Sequence, residues 1–189
     1  SRLATYMGTK IGGGMEFISS SGAISNAASV VFTGFDASKY DHYQFMFQHV
    51  IPATDDVLLE GRTSTNGGTA YSSTSGNYHT YNTQDVTGLR VAGHSGYGIG
   101  SDSNEFGVSG PFMLYAPLNT SAYTYSNSAL ITYNSADAAG YIHSMASNAS
   151  FSAGSARLAS EDVDAIKFLF TSGNIESGEI VMYGIANGT

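Results

Sequence analysis

The chain has 189 residues, enough for one domain with an ordinary hydrophobic core. It contains no Cys, which excludes disulfides and thiolate-bound metals, and no apolar run approaches the roughly 20 residues of a membrane span. Seven Lys and Arg against fifteen Asp and Glu give a net charge of −8, and so few dispersed cations do not build a phosphate-binding face, so nucleic acid is not an expected partner. Only 12% of residues are charged, about half of what ordinary globular domains carry. The polar surface is made instead from Ser, Thr, Asn, Gly and 13 Tyr. Such a surface suits contact with other protein or with sugar rings, because tyrosine offers an apolar face and a polar tip.

The first 28 residues, Gly- and Ser-rich around "IGGGMEFISSSG", have no signal-peptide apolar region and are expected to form an extended N-terminal arm with a short strand at "MEFIS". Such an arm is either a loose terminus or docks on a neighbouring subunit, with Lys10, Ile11, Met15 and Phe17 as the expected contact residues in the second case. Residues 29–189 are expected to form the main domain, beginning with a strand at "SVVFT" (29–33). In "HYQFMFQHVI", Tyr43, Phe45 and Phe47 point one way and Gln44, Met46 and Gln48 the other, the signature of a strand with one buried face. "VLLEGRTS" repeats the alternation, with Val57 and Leu59 opposed to Leu58, Glu60 and Arg62. Between them "PATDD" is turn chemistry: Pro52 fixes φ, and Asp55 or Asp56 bonds its own backbone.

The stretch 66–107 is rich in Gly, Ser, Asn and Tyr, with short strands at "NYHTY" and "GLRVA" between long loops. Loops of this sort carry partner contacts, and Tyr71, Tyr78, Tyr81 and Tyr97 are the candidates for stacking on glycans. Further strands are predicted at "FGVSGPFMLYA" (106–116), "AYTYSNSALITYN" (122–134) and "YIHSMAS" (141–147). Pro111 interrupts the first of these and marks a bulge or an edge. "SARLASEDVDAI" is the one helix-tolerant stretch, where Ser160 or Asp162 would cap a single turn. The end of the chain alternates twice: Ile166, Phe168 and Phe170 against Lys167 and Leu169, then Ile180 and Met182 against Val181, Tyr183 and Ile185. Gly173, Asn174 and Gly178 between them predict a hairpin loop. Eight to ten short strands with scarcely any helix predict an all-β fold, an antiparallel β-sandwich that is jelly-roll-like.

Motifs for chemistry are weak. "GHSGYG" and "GVSG" match a nucleophile elbow only loosely and do not lie on a strand–turn–helix. His42, His49, His79, His94 and His143 are scattered, with no i, i+4 pair. The carboxylate clusters Asp55–Asp56, Asp102–Glu105 and Glu161–Asp162–Asp164 lack the alternating spacing of a calcium loop. No carboxylate pair stands out as a glycosidase centre, and Trp is absent. The expectation is therefore a protein that is not an enzyme and holds no metal or cofactor.

Three stretches carry a resemblance: "YDHYQFMFQHVIPATDDVLLEGRTSTNGGTAY" (40–71), "PFMLYAPLNTSAYT" (111–124) and "VDAIKFLFTSGNIESGEIVMYGI" (163–185). In their order the chain resembles a family of small tailed-bacteriophage virion proteins, over about residues 29–185, with 1–28 and 72–107 outside the shared pattern. The resemblance implies a β-sandwich on the outer surface of the phage particle, as a capsid decoration (cement) protein or as a tail appendage. It also implies phage structural proteins, major capsid or tail, as partners and a closed homo-oligomer, with a trimer favoured. Two functions follow as expectations: stabilisation of the head, with the 1–28 arm docked on the shell, or a tail-fibre component whose tyrosine loops recognise host glycans. A third, cleavage of host polysaccharide, would require a carboxylate pair.

Overall fold

The computed structural model describes residues 14–80, 83–93, 98–102, 105–134, 141–145 and 155–186. The first eight strands are β1 (Met15–Ser20), β2 (Ile24–Ala27), β3 (Val30–Phe32), β4 (Tyr40–Pro52), β5 (Leu59–Ser64), β6 (Tyr78–Thr80), β7 (Thr83–Val86) and β8 (Leu89–Ala92). The remainder are β9 (Val108–Tyr115), β10 (Thr124–Ser128), β11 (Leu130–Asn134), β12 (Tyr141–Met145), β13 (Ser155–Arg157), β14 (Ala165–Phe170) and β15 (Ile175–Ala186). They make two antiparallel sheets packed face to face, as the alternation predicts. The larger has eleven strands in the order β1-β15-β4-β9-β10-β13-β6-β7, with β2 also on β15, β11 on β9 and β12 on β11. The smaller has the order β3-β14-β5-β8.

Aromatic side chains fill the space between the sheets. Phe168 on β14 lies at the centre, its ring 5.0 Å from Phe45, 5.1 Å from Phe47, 5.7 Å from Phe112 and 6.1 Å from Phe32, all edge-on. Edge-to-face packing puts the positive rim of one ring against the negative face of the next, which adds to the burial itself. Room for this cluster comes from Gly61, directly across from Phe168 on β5, where a Cβ would stand 3.0 Å from Ile166 Cδ1 and 3.3 Å from Phe168 Cε1. Leu59, Leu89, Leu114, Ile166, Ile180 and Met182 close the core around it, all fully buried.

The closing segment departs from the predicted hairpin. β14 and β15 do not pair; they lie in opposite sheets, and 171–174 carries the chain across the sandwich. The same is true of β4 and β5, which "PATDD" joins across the sandwich rather than along an edge. The reason is burial. Phe168 and Phe170 on one strand and Ile180 and Met182 on the other all need an apolar partner, and facing sheets supply it where a hairpin would leave both faces on one side. The two crossings run side by side and hydrogen-bond to each other: Ala53 N–H donates to Asn174 O at 2.9 Å and Thr171 N–H to Leu58 O at 2.9 Å. β4 then pairs with β15 in one sheet and β5 with β14 in the other, so two stacked arches form the middle of the molecule.

Three other expectations are corrected or sharpened. Residues 15–27, assigned to an arm, are edge strands of the large sheet: β1 pairs with Val181–Ile185 and β2 with Ile175–Gly178. The long β15 would otherwise present an open row of backbone N–H and C=O groups. Pro111 lies on an interior strand, not an edge, at the point where the neighbour of β9 changes from β10 to β11. Gly110 beside it has φ +124°, and the ladder is already interrupted there, so a missing N–H costs little. The helix-tolerant stretch forms no helix. β13 opens it, and Val163 N–H and Asp164 N–H donate to Pro117 O and Ser64 O, bonds to other segments that hold the backbone extended.

Replacement of Phe168 by Ala is expected to cost about 3–5 kcal/mol of stability, read as a lowered midpoint in chemical denaturation. Tyr43 is fully buried, stacked on Phe35 at 4.3 Å, and its hydroxyl accepts the Asp36 N–H at 2.6 Å. Burial pushes its phenol up to about 12 from an ordinary 10, against the smaller opposing pull of that hydrogen bond. A raised folded pKa means stability is intact below pH 10 and is lost as the pH climbs to about 12, where the unfolded chain ionises first. Tyr43→Phe is expected to remove that part of the alkaline loss in melts taken across the same window.

Candidate interaction face

Alternation along each strand of the large sheet sends one set of side chains into the core and the other outward, and the register lines the outward set into rows. One row crosses seven strands: Met15, Ile185, His42, Tyr115, Tyr125, Ala156 and His79. The next runs Phe17, Tyr183, Gln44, Met113 and Asn127, and a third Ser20, Val181, Met46 and Pro111. None of these residues is Asp, Glu, Lys or Arg. Strands stand about 4.8 Å apart, so the first row alone is about 30 Å long. Glu179, opposite Gln48, bounds the face beyond the third row.

The rows are held together by side-chain contacts across the strands. Phe17 and Tyr183 meet edge-on at 6.2 Å, and His42 and Tyr115 at 5.3 Å. The Tyr115 hydroxyl donates to Asn127 Oδ1 at 3.3 Å. Met15, Phe17 and Tyr125 are each more than half exposed, as is Ile131, which extends the face along β11. Exposed apolar side chains scattered singly are ordinary; in register on one face they make a continuous surface of the kind that is covered by a partner.

Several of the charged side chains are engaged elsewhere in the fold. On the small sheet Glu60 is buried between two cations, 3.8 Å from Arg62 and 3.6 Å from Arg90, and accepts the Thr87 hydroxyl at 2.9 Å. Burial lowers the Arg90 pKa, with Glu60 opposing that shift. Lys167 on the same sheet lies 4.6 Å over the Tyr71 ring. The loop carboxylates serve the backbone: Asp55 Oδ1 accepts Ser101 N–H at 3.0 Å and Glu105 Oε2 accepts Asp102 N–H at 2.8 Å. Burial raises the Glu105 pKa above the ordinary carboxyl value. Arg157 is paired to Glu161 at 2.8 Å, so Glu161 is engaged in the fold. Ser109 of "GVSG" accepts the His49 N–H at 3.0 Å.

The residues expected to make contacts fall in different places. Met15 and Phe17 stand on the outer face, joined there by Tyr183 and Ile185. Tyr78 does not belong to a binding loop: it is fully buried, its hydroxyl accepts Thr63 N–H and donates to Ser72 O, both at 3.0 Å, and Arg157 lies 5.3 Å from its ring. Its position opposite Arg157 on β13 puts it in the inward phase, which "NYHTY" alone does not reveal. Tyr71 is half-buried under Lys167, and burial raises its pKa above 10.0. Lys10, Ile11, Tyr81 and Tyr97 lie outside the described residues. His42, Tyr115, Tyr125, Met113 and Tyr183 were not among the expected contact residues. Alternation marks each as outward, but only the register makes them neighbours. In comparisons with family models, with curated proteins and with solved structures, nothing matches this chain.

Proposed function

We propose that this chain is a non-enzymatic structural protein of a tailed-bacteriophage virion, a decoration or cement protein on the outer surface of the head. In this reading it assembles as a closed homo-oligomer, a trimer, and binds the major capsid protein. The observation that supports this best is the uncharged outer face of the large sheet. Copies that each carry −8 repel one another at short range, and a contact that buried unpaired carboxylates would be costly. A face with no charged side chain in three rows lets like copies, or a copy and a capsid protein, meet without that cost. Many such contacts repeated over a shell add by avidity. The alternative, a tail fibre that reads host glycans through its tyrosine loops, loses Tyr78 to the core and has Tyr71 engaged by Lys167.

Immunogold labelling of intact virions with an antibody against this chain tests the location. Gold over the head is the expected result, and gold confined to the tail overturns the decoration reading. The face is tested separately by light scattering on the purified chain. Phe17→Asp and Tyr125→Asp place charge on exposed positions without touching the core, so both variants are expected to fold and to dissociate to monomer. A monomeric parent, or variants that keep the parent's mass, would show that this face does not join the copies.

A further inference from the structure

We infer that a groove at the end of β4 and β9 is a binding site for an uncharged saccharide ring. The groove measures about 380 Å³ and is lined by Tyr40, Asp41, His42, Ala116, Leu118 and Asn119. Its two walls are turns. On one side Lys39 N–H and Tyr40 N–H both donate to Asp36 O, while Asp36 Oδ1 accepts from Ser38. On the other, Asn119 N–H donates to Ala116 O at 3.1 Å, closing a turn over Pro117 and Leu118. Ala116 has φ +46°, a conformation that a non-glycine residue adopts at a cost and that recurs at ligand sites. What holds it there is its own N–H, shared between Asp41 O at 3.0 Å and His42 Nδ1 at 3.1 Å.

Those bonds determine what the groove offers. Because His42 Nδ1 accepts, a neutral ring carries its proton on Nε2, which is left as a donor. Asn119 Oδ1 accepts Ser121 N–H at 2.8 Å, so its remaining capacity is the two N–H donors of the amide. Asp41 is exposed, and its carboxylate has no hydrogen-bond partner among the described residues. The groove thus combines one strong acceptor with donors on two other side chains; Leu118 supplies apolar lining, beside Tyr40, whose ring is held edge-on to Tyr43 at 5.9 Å and whose hydroxyl donates to Glu16 Oε2 at 2.8 Å. An anion is opposed by Asp41, and a simple cation would leave the donors of His42 and Asn119 unmatched. A hydroxyl is both donor and acceptor, and neighbouring hydroxyls on a sugar ring meet both demands while the ring's C–H groups lie on the apolar lining.

This inference rests on neither the assembly reading nor the tyrosine loops, although His42 belongs to both face and groove, and its test uses groove residues that lie outside the three rows. The full chain is mixed with the methyl glycosides of glucose, galactose and N-acetylglucosamine, and saturation transfer to each sugar is followed by NMR. At least one is expected to bind saturably with a millimolar Kd. Asp41→Ala removes the acceptor and is expected to weaken binding by about tenfold or more. Asn119→Asp keeps the acceptor for Ser121 N–H and removes both donors, and is expected to do the same. Neither side chain is needed by the core, so unchanged melting in both variants shows that the fold is intact. Phe17→Asp, which tests the assembly face, is expected to leave sugar binding unaltered. No saturable transfer from any of the three sugars up to about 50 mM, or binding that survives both groove variants, overturns the inference.

Discussion

The contact of Phe168 with the aromatic rings of the opposite sheet is the interaction on which the rest of the structure depends. Phe45, Phe47 and Phe112 come from two neighbouring strands of the large sheet, and Phe168 reaches all three from the small one. Two of the chain's crossings between the sheets, at 52–58 and at 171–174, lead from the strands that carry this cluster. The two crossings are hydrogen-bonded to each other, so the arches are stabilised as a pair. Gly61 leaves the Phe168 and Ile166 side chains room within the small sheet, because a Cβ there would stand 3.0 Å from Ile166 and 3.3 Å from Phe168 on the neighbouring strand.

The outer face follows from the same constraint. Once Phe45, Phe47 and Met182 point inward, His42, Gln44, Met46, Val181, Tyr183 and Ile185 must point outward, and pairing of β4 with β15 brings them side by side. The three rows hold no charged side chain, and Glu179, which accepts the Ser20 hydroxyl, marks their limit. Glu60 with its two arginines and Lys167 stand on the small sheet, and Asp55 and Glu105 sit in loops where they bond backbone N–H groups. The groove at one end of this face shares His42 with it, so one residue serves the row through its ring and the groove through its nitrogen.

How much of this was legible depends on the kind of information each feature needs. The strands at 29–33, 106–116 and 141–145 were visible because period-two alternation is local, as was 122–134, which the structure divides into β10 and β11. The three strands that escape notice, β2 (ISNA), β7 (TQDV) and β13 (SAR), are too short and too polar to show an alternating apolar pattern. They are strands because a neighbour's edge was available to pair with. The segment 155–164 shows the point most directly. Its composition tolerates a helix, yet bonds from Leu158, Val163 and Asp164 to Asn77, Pro117 and Ser64 hold it extended.

By itself, then, the sequence determined the class of fold, the inward and outward faces of the main strands, the absence of disulfides and the acidic balance. These depend on residue type and on spacing along the chain. The tertiary structure alone decided that 166–185 is an arch and not a hairpin, that residues 15–27 belong to the sheet, that Tyr78 is core, and that His42, Tyr115 and Tyr125 share a row. All of these are questions of which strand lies beside which. Backbone hydrogen bonds answer them, and those bonds are made by groups that every residue but proline carries alike. Side-chain alternation says which way a residue faces but not what stands next to it.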